Sequence, residues 1–292
     1  MLNYYAFRNW SELQKRTNNT VVALSVGSNL AERDLRKIPF PKTARVTDVW
    51  SGMAQARRLD VGTDRAKDIF DLAAVDLAFL AIPQIVANHI ELMVGTIEEC
   101  EHFVGLVKPH KSGWPASRWQ VPLLRKAIRF GEPPTTADQL IEFSVQLRNT
   151  IMHGAGRVDD DLVKAWNKLT PVSKQRWESL AGRPFTYARM NSRPSLSWGE
   201  IQATLAVTKE SASEINTRVQ RVITRPQWAE IVARDYRRVS PRRFFSSSPG
   251  KRVGKNEGTP RALLRLHSHA VTHYHPLGLT LDELGAARQR ML

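Results

Sequence analysis

Cysteine is almost missing from this chain of 292 residues: Cys100 stands alone, which excludes a disulfide framework and a Cys-rich zinc module. Acids are scarce as well, with 28 Asp and Glu against 43 Lys and Arg, giving a formal net charge of +15 and a pI near 10.3. That surplus is silent about fold but points to polyanionic partners such as RNA or DNA. No long hydrophobic run occurs. The most apolar stretch, Leu77 to Ile90, is interrupted by Pro83, Gln84, Asn88 and His89. It falls short of the roughly 20 apolar residues of a spanning helix, so it is expected as buried core, with no membrane partner. The opening Met1 to Arg8 has no basic stretch ahead of an apolar one, so no secretory signal is expected and the expected setting is cytoplasmic. Internal repeats are absent too. What is present, 42% hydrophobic and 24% charged residues, is the composition of a globular protein with a real core.

Residues 1–63 are punctuated by Gly27, Pro39, Pro41, Gly52 and Gly62 and read as a less regular N-terminal region, with short helices and a strand at Val21 to Val26. From Asp64 the apolar spacing turns helical through Ile69, Leu72, Ala73, Leu77 and Leu80, and Pro83 is expected to break or kink that helix. A second helix continues to about Val107, with Ile85, His89, Leu92, Thr96, Glu99 and Phe103 along one stripe. A Pro- and Gly-rich connection then holds one short helix at 121–128. Thr136, with Gln139 three residues on, reads as the cap of a helix that runs to Gly154. Further helices are expected at 159–166, 173–180, 198–205, 209–223 and 226–236. The spacing therefore predicts an all-α bundle over 64–239. Residues 240–292 read as a basic, His-rich arm closed by a short helix behind Thr280.

The informative stretch is Leu147-Arg148-Asn149-Thr150-Ile151-Met152-His153-Gly154, an arginine and a histidine separated by four residues at the end of an amphipathic helix. Cutting RNA without a metal needs a base for the ribose 2′-hydroxyl, a cation for the dianionic phosphorane, and an acid for the leaving 5′-oxygen. Histidine does proton work near neutral pH, and its place at a helix C-terminus favours the protonated ring. Arginine stays charged and offers a planar donor fork to phosphate. Five positions on an ideal helix diverge by about 140° in azimuth, so the pair is not expected to meet by stacking on one face. Fraying at Gly154 or a shared cleft would have to join them.

With its polar residue after the arginine and its His-Gly ending, this octapeptide resembles the signature of the HEPN superfamily, α-helical domains whose ribonuclease members carry Arg-x(4–6)-His. The resemblance covers about residues 64–235, and its specific part is the octapeptide. It implies a HEPN-like bundle acting as a metal-independent endoribonuclease without cofactor, in a toxin or anti-phage role, on tRNA or mRNA. Arg148 and His153 would be catalytic, with Asn149 supporting them. It also implies a homodimer with a composite cleft and a possible antitoxin or regulator protein as partner.

Two other patterns compete. Residues 196–223 are similar to a sigma region 4 helix-turn-helix, which would make the chain a DNA-binding regulator with Lys209, Glu210 and Ser213 at the recognition helix. Packing of two amphipathic helices on the bundle gives the same pattern. His267, His269, His273 and His275 would all share a face in a strand, and only His269 and His273 in a helix. With no acid inside that cluster, a solvated basic arm fits better than a zinc site. Nucleic acid is expected to contact Arg237, Arg238, Arg242, Arg243, Lys251 and Arg252, with Tyr236, Phe244 and Phe245 interleaved for stacking.

Overall fold

A computed structural model describes residues 2–38, 44–59, 61–105, 121–153, 156–187, 190, 192–244 and 261–292. Over these the protein is about 80% helical with no strands, an all-α fold. In order, the helices are α1 (Tyr5–Leu35), α2 (Val46–Val49), α3 (Ala54–Leu59), α4 (Thr63–Val104), α5 (Val121–Ala127), α6 (Thr136–His153) and α7 (Asp160–Lys168). They continue with α8 (Pro171–Ala181), α9 (Trp198–Val222), α10 (Arg225–Val239), α11 (Pro241–Phe244), α12 (Arg261–Tyr274) and α13 (Leu281–Gln289).

The chain divides into two compact units. Unit 1 holds Met1–Glu12, Asn88–Pro134 and Lys209–Leu292, and unit 2 holds Leu13–Ala87 and Thr135–Thr208. The boundaries expected at 63/64 and 239/240 do not coincide with these units.

Three local expectations need correction. The strand at Val21 to Val26 is part of α1. Its three valines lower helix propensity by only a few tenths of a kcal/mol each, and of them Val21 alone is buried, two helical turns on from Gln14. Pro83 does not end its helix either: α4 runs through it from Thr63 to Val104. The lost backbone bond, worth about 3 kcal/mol, is offset by full burial of Ile82, Ile85 and Val86 on both sides of the proline. The continuous α4 is, by length and composition, long and apolar enough to cross a membrane, and 38% of its most apolar window is buried. Finally, the two helices expected at 198–205 and 209–223, which the competing helix-turn-helix reading also required, are one helix, α9. Ala206 breaks nothing, the Thr204 and Thr208 hydroxyls donate back to the carbonyls of Glu200 and Thr204 at 2.7 and 2.9 Å, and Ala203, Val207, Ala212 and Ile215 form an unbroken buried face.

Unit 2 is centred on Phe143 of α6. Its ring lies 5.1 Å from Trp166 of α7, 4.9 Å from Trp177 of α8 and 5.0 Å from Phe185, each in a tilted or edge-on arrangement. The same helix is tied at its start, where Gln139 Oε1 accepts from the Ser173 hydroxyl at 2.9 Å. At the start of α9, Gly199 lies directly on the Ala181 carbonyl, where any methyl group would overlap the oxygen. Gly199→Ala is expected to destabilise the protein by about 1–3 kcal/mol, measured by urea unfolding; an unchanged midpoint would show that α8 and α9 can part freely.

In unit 1, α10 packs against α11, α12 and α13. The expected C-terminal arm is therefore not solvated where it is described: Phe244, Leu266, Tyr274 and Leu284 are buried in the core. Thr280 caps α13 through a reciprocal box with Glu283, as its sequence suggests.

Candidate functional site

α6 begins one residue earlier than the Thr136–Gln139 pattern implies. The Thr135 N–H donates to Asp138 Oδ2 at 3.0 Å, and the Asp138 N–H donates to the Thr135 hydroxyl at 3.2 Å. From there Leu140, Phe143 and Leu147 anchor the helix in the unit 2 core. The register of those anchors sets the exposure of the last two turns: Arg148 is half-buried, Asn149 and Thr150 are buried, and Met152 and His153 are exposed.

The three residues singled out in the sequence come together. Arg148 Nη1 donates to Asn149 Oδ1 at 3.0 Å and lies 3.3 Å from His153 Nε2. The expectation that five positions on one helix keep the pair apart is thus corrected: the length of the arginine side chain makes up for the azimuth, without fraying of α6. A bond from the guanidinium to Nε2 requires a neutral ring carrying its proton on Nδ1. Arg148 Nε is buried and makes no hydrogen bond among the described residues.

Gly154, expected to stop the helix, lies outside the described residues. The turn is closed by Gly156, whose N–H donates to the Thr150 carbonyl at 3.1 Å. Its φ of +68° belongs to the left-handed region, and a Cβ there would lie 2.6 Å from Cε1 of Phe79, itself covered by the Arg193 guanidinium at 5.4 Å. Space and backbone both demand glycine here, directly behind the exposed histidine.

The expected nucleic-acid residues belong to unit 1. Arg237, Arg238 and Arg243 are exposed on α10 and α11. The side chain of Arg242, together with Lys251 and Arg252, lies outside the described residues, as does Phe245. Tyr236 and Phe244 are buried, and so are not stacking platforms.

Sequence reasoning missed the buried ionic network of unit 1. Asp235, 2% exposed, takes a bidentate pair from Arg8 at 2.9 and 3.0 Å, a 2.7 Å bond from the Tyr274 hydroxyl, and a 3.1 Å contact with His269 Nε2. Burial raises the Asp235 carboxyl, and the bonds from His269, Arg8 and Tyr274 together outweigh it, holding it at about 2. The His cluster is therefore not a solvated arm at this point. α12 is helical, His269 and His273 align with their rings 4.7 Å apart, and the acid missing from the cluster arrives from α10. The one hint in the sequence was an aspartate standing alone among Arg234, Arg237 and Arg238. Among the described residues no group of three or more His, Cys, Asp or Glu is placed to hold a metal ion.

Nearby, Glu99 of α4 accepts from the Ala6 N–H at 3.1 Å, capping the start of α1, and from Arg238 at 3.4 Å. Burial pushes its carboxyl up to about 7, with Arg238 opposing and Asp235 adding to the rise. Below about pH 4.5 the group is protonated whether folded or not. Between 4.5 and 7 only the unfolded chain loses the proton, so stability falls as pH rises and levels off above 7. Glu99→Gln is expected to remove that fall, about 3 kcal/mol at most, and to stabilise the protein at pH 8 more than at pH 5. Denaturant unfolding at both values measures it; an equal effect at the two would refute the assignment.

Comparison of the chain with family models, curated proteins and solved structures finds no match.

Proposed function

We propose that the protein is a metal-independent endoribonuclease of HEPN type, with Arg148 and His153 as its catalytic residues. The observation that carries the reading is the convergence of Arg148, Asn149 and His153 at the exposed end of α6, with Arg148 Nη1 within 3.3 Å of the imidazole. An arginine and a histidine in contact at a solvent-facing helix end, in a chain of net charge +15, suit phosphodiester cleavage.

Cleavage starts with a change of partner for the arginine. The scissile phosphate draws the Arg148 guanidinium onto its non-bridging oxygens, and this releases the His153 Nε2 lone pair that Arg148 had occupied. Nε2 takes the 2′-hydroxyl proton, O2′ attacks phosphorus, and Arg148 neutralises the dianionic phosphorane. The P–O5′ bond breaks and a proton returns to O5′. The products are a 2′,3′-cyclic phosphate and a 5′-hydroxyl. Asn149 is a positioning residue: buried itself, it holds the guanidinium through its amide oxygen.

A homodimer would supply a second imidazole as the acid, and Met152, 54% exposed beside His153, is an apolar contact available to a partner subunit. The test is cleavage of bulk RNA in EDTA by the parent, His153→Ala and Arg148→Ala, with the new 3′-ends identified by mass. Cleavage at parental rate by both variants would overturn the proposal. A toxin or anti-phage role, with an antitoxin as regulator, is implied by the resemblance and forms part of the proposal.

A further inference from the structure

Unit 1 is the more basic of the two, with 23 Lys and Arg against 13 Asp and Glu, where unit 2 has 20 against 15. Within it α10 presents arginines in an unusual setting. The Arg234 guanidinium lies over the ring of Phe103 of α4, 5.0 Å from its centroid, and that of Arg238 lies over Tyr5 of α1, 4.4 Å from its centroid. Arg8 covers Tyr5 at 5.8 Å while its charge is committed to Asp235. Tyr5 and Phe103 are half-buried, whereas Arg238 is 52% exposed.

We infer that Arg234 and Arg238, laid on Phe103 and Tyr5, form a docking strip for single-stranded nucleic acid, which names the form of substrate the proposed ribonuclease takes. The inference rests on the nucleic-acid reading above but not on the cleavage chemistry. Positions 234 and 238 are one helical turn apart, about 6 Å along α10, a spacing suited to successive phosphates of an extended strand. A guanidinium over a ring has a planar face to offer a base and a donor edge to offer a phosphate oxygen. Arg234 makes no ion pair among the described residues. Arg238 is paired with Glu99, whose carboxylate is only 10% exposed and so faces inward from the strip. Duplex recognition would not use rings placed between cations, because paired bases present no free face. Arg237 and Arg243 are exposed on the same and the next helix and extend the positive surface.

The experiment uses the full chain and a fluorescein-labelled 20-mer of deoxyuridine, which has no 2′-hydroxyl to cut, so binding is read apart from catalysis. The parent is expected to bind it more tightly than a duplex of equal length. Arg234→Ala with Arg238→Ala should weaken binding at least tenfold and lower the slope of log K against log salt by about 1.4. Tyr5→Leu should weaken binding severalfold with the slope unchanged, since it removes a ring and no charge, and circular dichroism checks that each variant is folded. Arg238→Lys should fail to restore affinity, because an ammonium has neither a planar face for a base nor a forked donor edge. Parental affinity in the double variant, equal affinity for the duplex, or stronger binding to vesicles of equal phosphatidylserine and phosphatidylcholine would each overturn the strip. Binding that behaves as expected in a protein that never cuts RNA would sink the ribonuclease and leave the strip standing.

Discussion

Alanine in place of His153 is expected to slow RNA cleavage in EDTA by about 10²–10⁴-fold, the range over which a positioned acid–base group acts. Arg148→Ala should lose about 10²–10³-fold by leaving the phosphorane without its cation. The two losses should not add, because Arg148 also holds the imidazole that His153 contributes, at 3.3 Å. The double variant should therefore be little worse than the poorer single one. Asn149→Ala is the sharper control. It removes an oxygen that touches Arg148 at 3.0 Å and lies buried, so it should reduce kcat modestly and leave the pH profile in place. A variant of Asn149 that shifts the profile would make it a proton-transfer partner and would require a different mechanism.

The second large effect concerns stability. Asp235→Ala leaves the Arg8 guanidinium, the Tyr274 hydroxyl and His269 in a buried pocket without their shared anion. Removing one member of such a network is expected to cost about 3–5 kcal/mol, or about 10 °C in Tm. The pH dependence separates charge from shape. The folded Asp235 carboxyl sits at about 2 where its ordinary value is 3.8, so the stability due to its charge is fully present above about pH 4. It is lost as pH falls through 2. Asp235→Asn, which keeps the shape, should accordingly differ from the parent at pH 6 and converge with it toward pH 2. A loss below 1 kcal/mol for Asp235→Ala at pH 6 would mean that solvent replaces the carboxylate and that the network is not closed.

The contrast between these two regions explains what the sequence made legible. Arg148, Asn149 and His153 lie within six consecutive residues of one helix, so their meeting is a local matter of register and side-chain length. Thr280, as the cap of α13, was readable for the same reason. Asp235 finds Arg8 across 227 residues and Tyr274 across 39, and no periodicity in either segment encodes that encounter. The misreadings were of a related kind. Pro83 and the Ala206 to Thr208 segment each carry a weak local signal against a continuous helix that burial of the flanking face outweighs, while the valines of Val21 to Val26, mostly exposed, lower helix propensity too little to break α1. The basic composition after Val239 suggested solvation, although the apolar positions Ala262, Leu266, Ala270 and Tyr274 already marked one buried stripe on α12.

The route of the chain through unit 1 bears on how the protein is made. Asn216 clamps the backbone of Leu2 from both sides, donating to its carbonyl at 2.7 Å and accepting from its N–H at 3.2 Å, and the Asn3 N–H bonds to the His273 carbonyl. Ribosomal synthesis delivers these partners in reverse order of need: the opening residues emerge first and wait for segments translated more than two hundred codons later. Until those segments have been made, Arg8 and Leu2 lack their folded partners Asp235 and Asn216, so unit 1 matures only after they emerge.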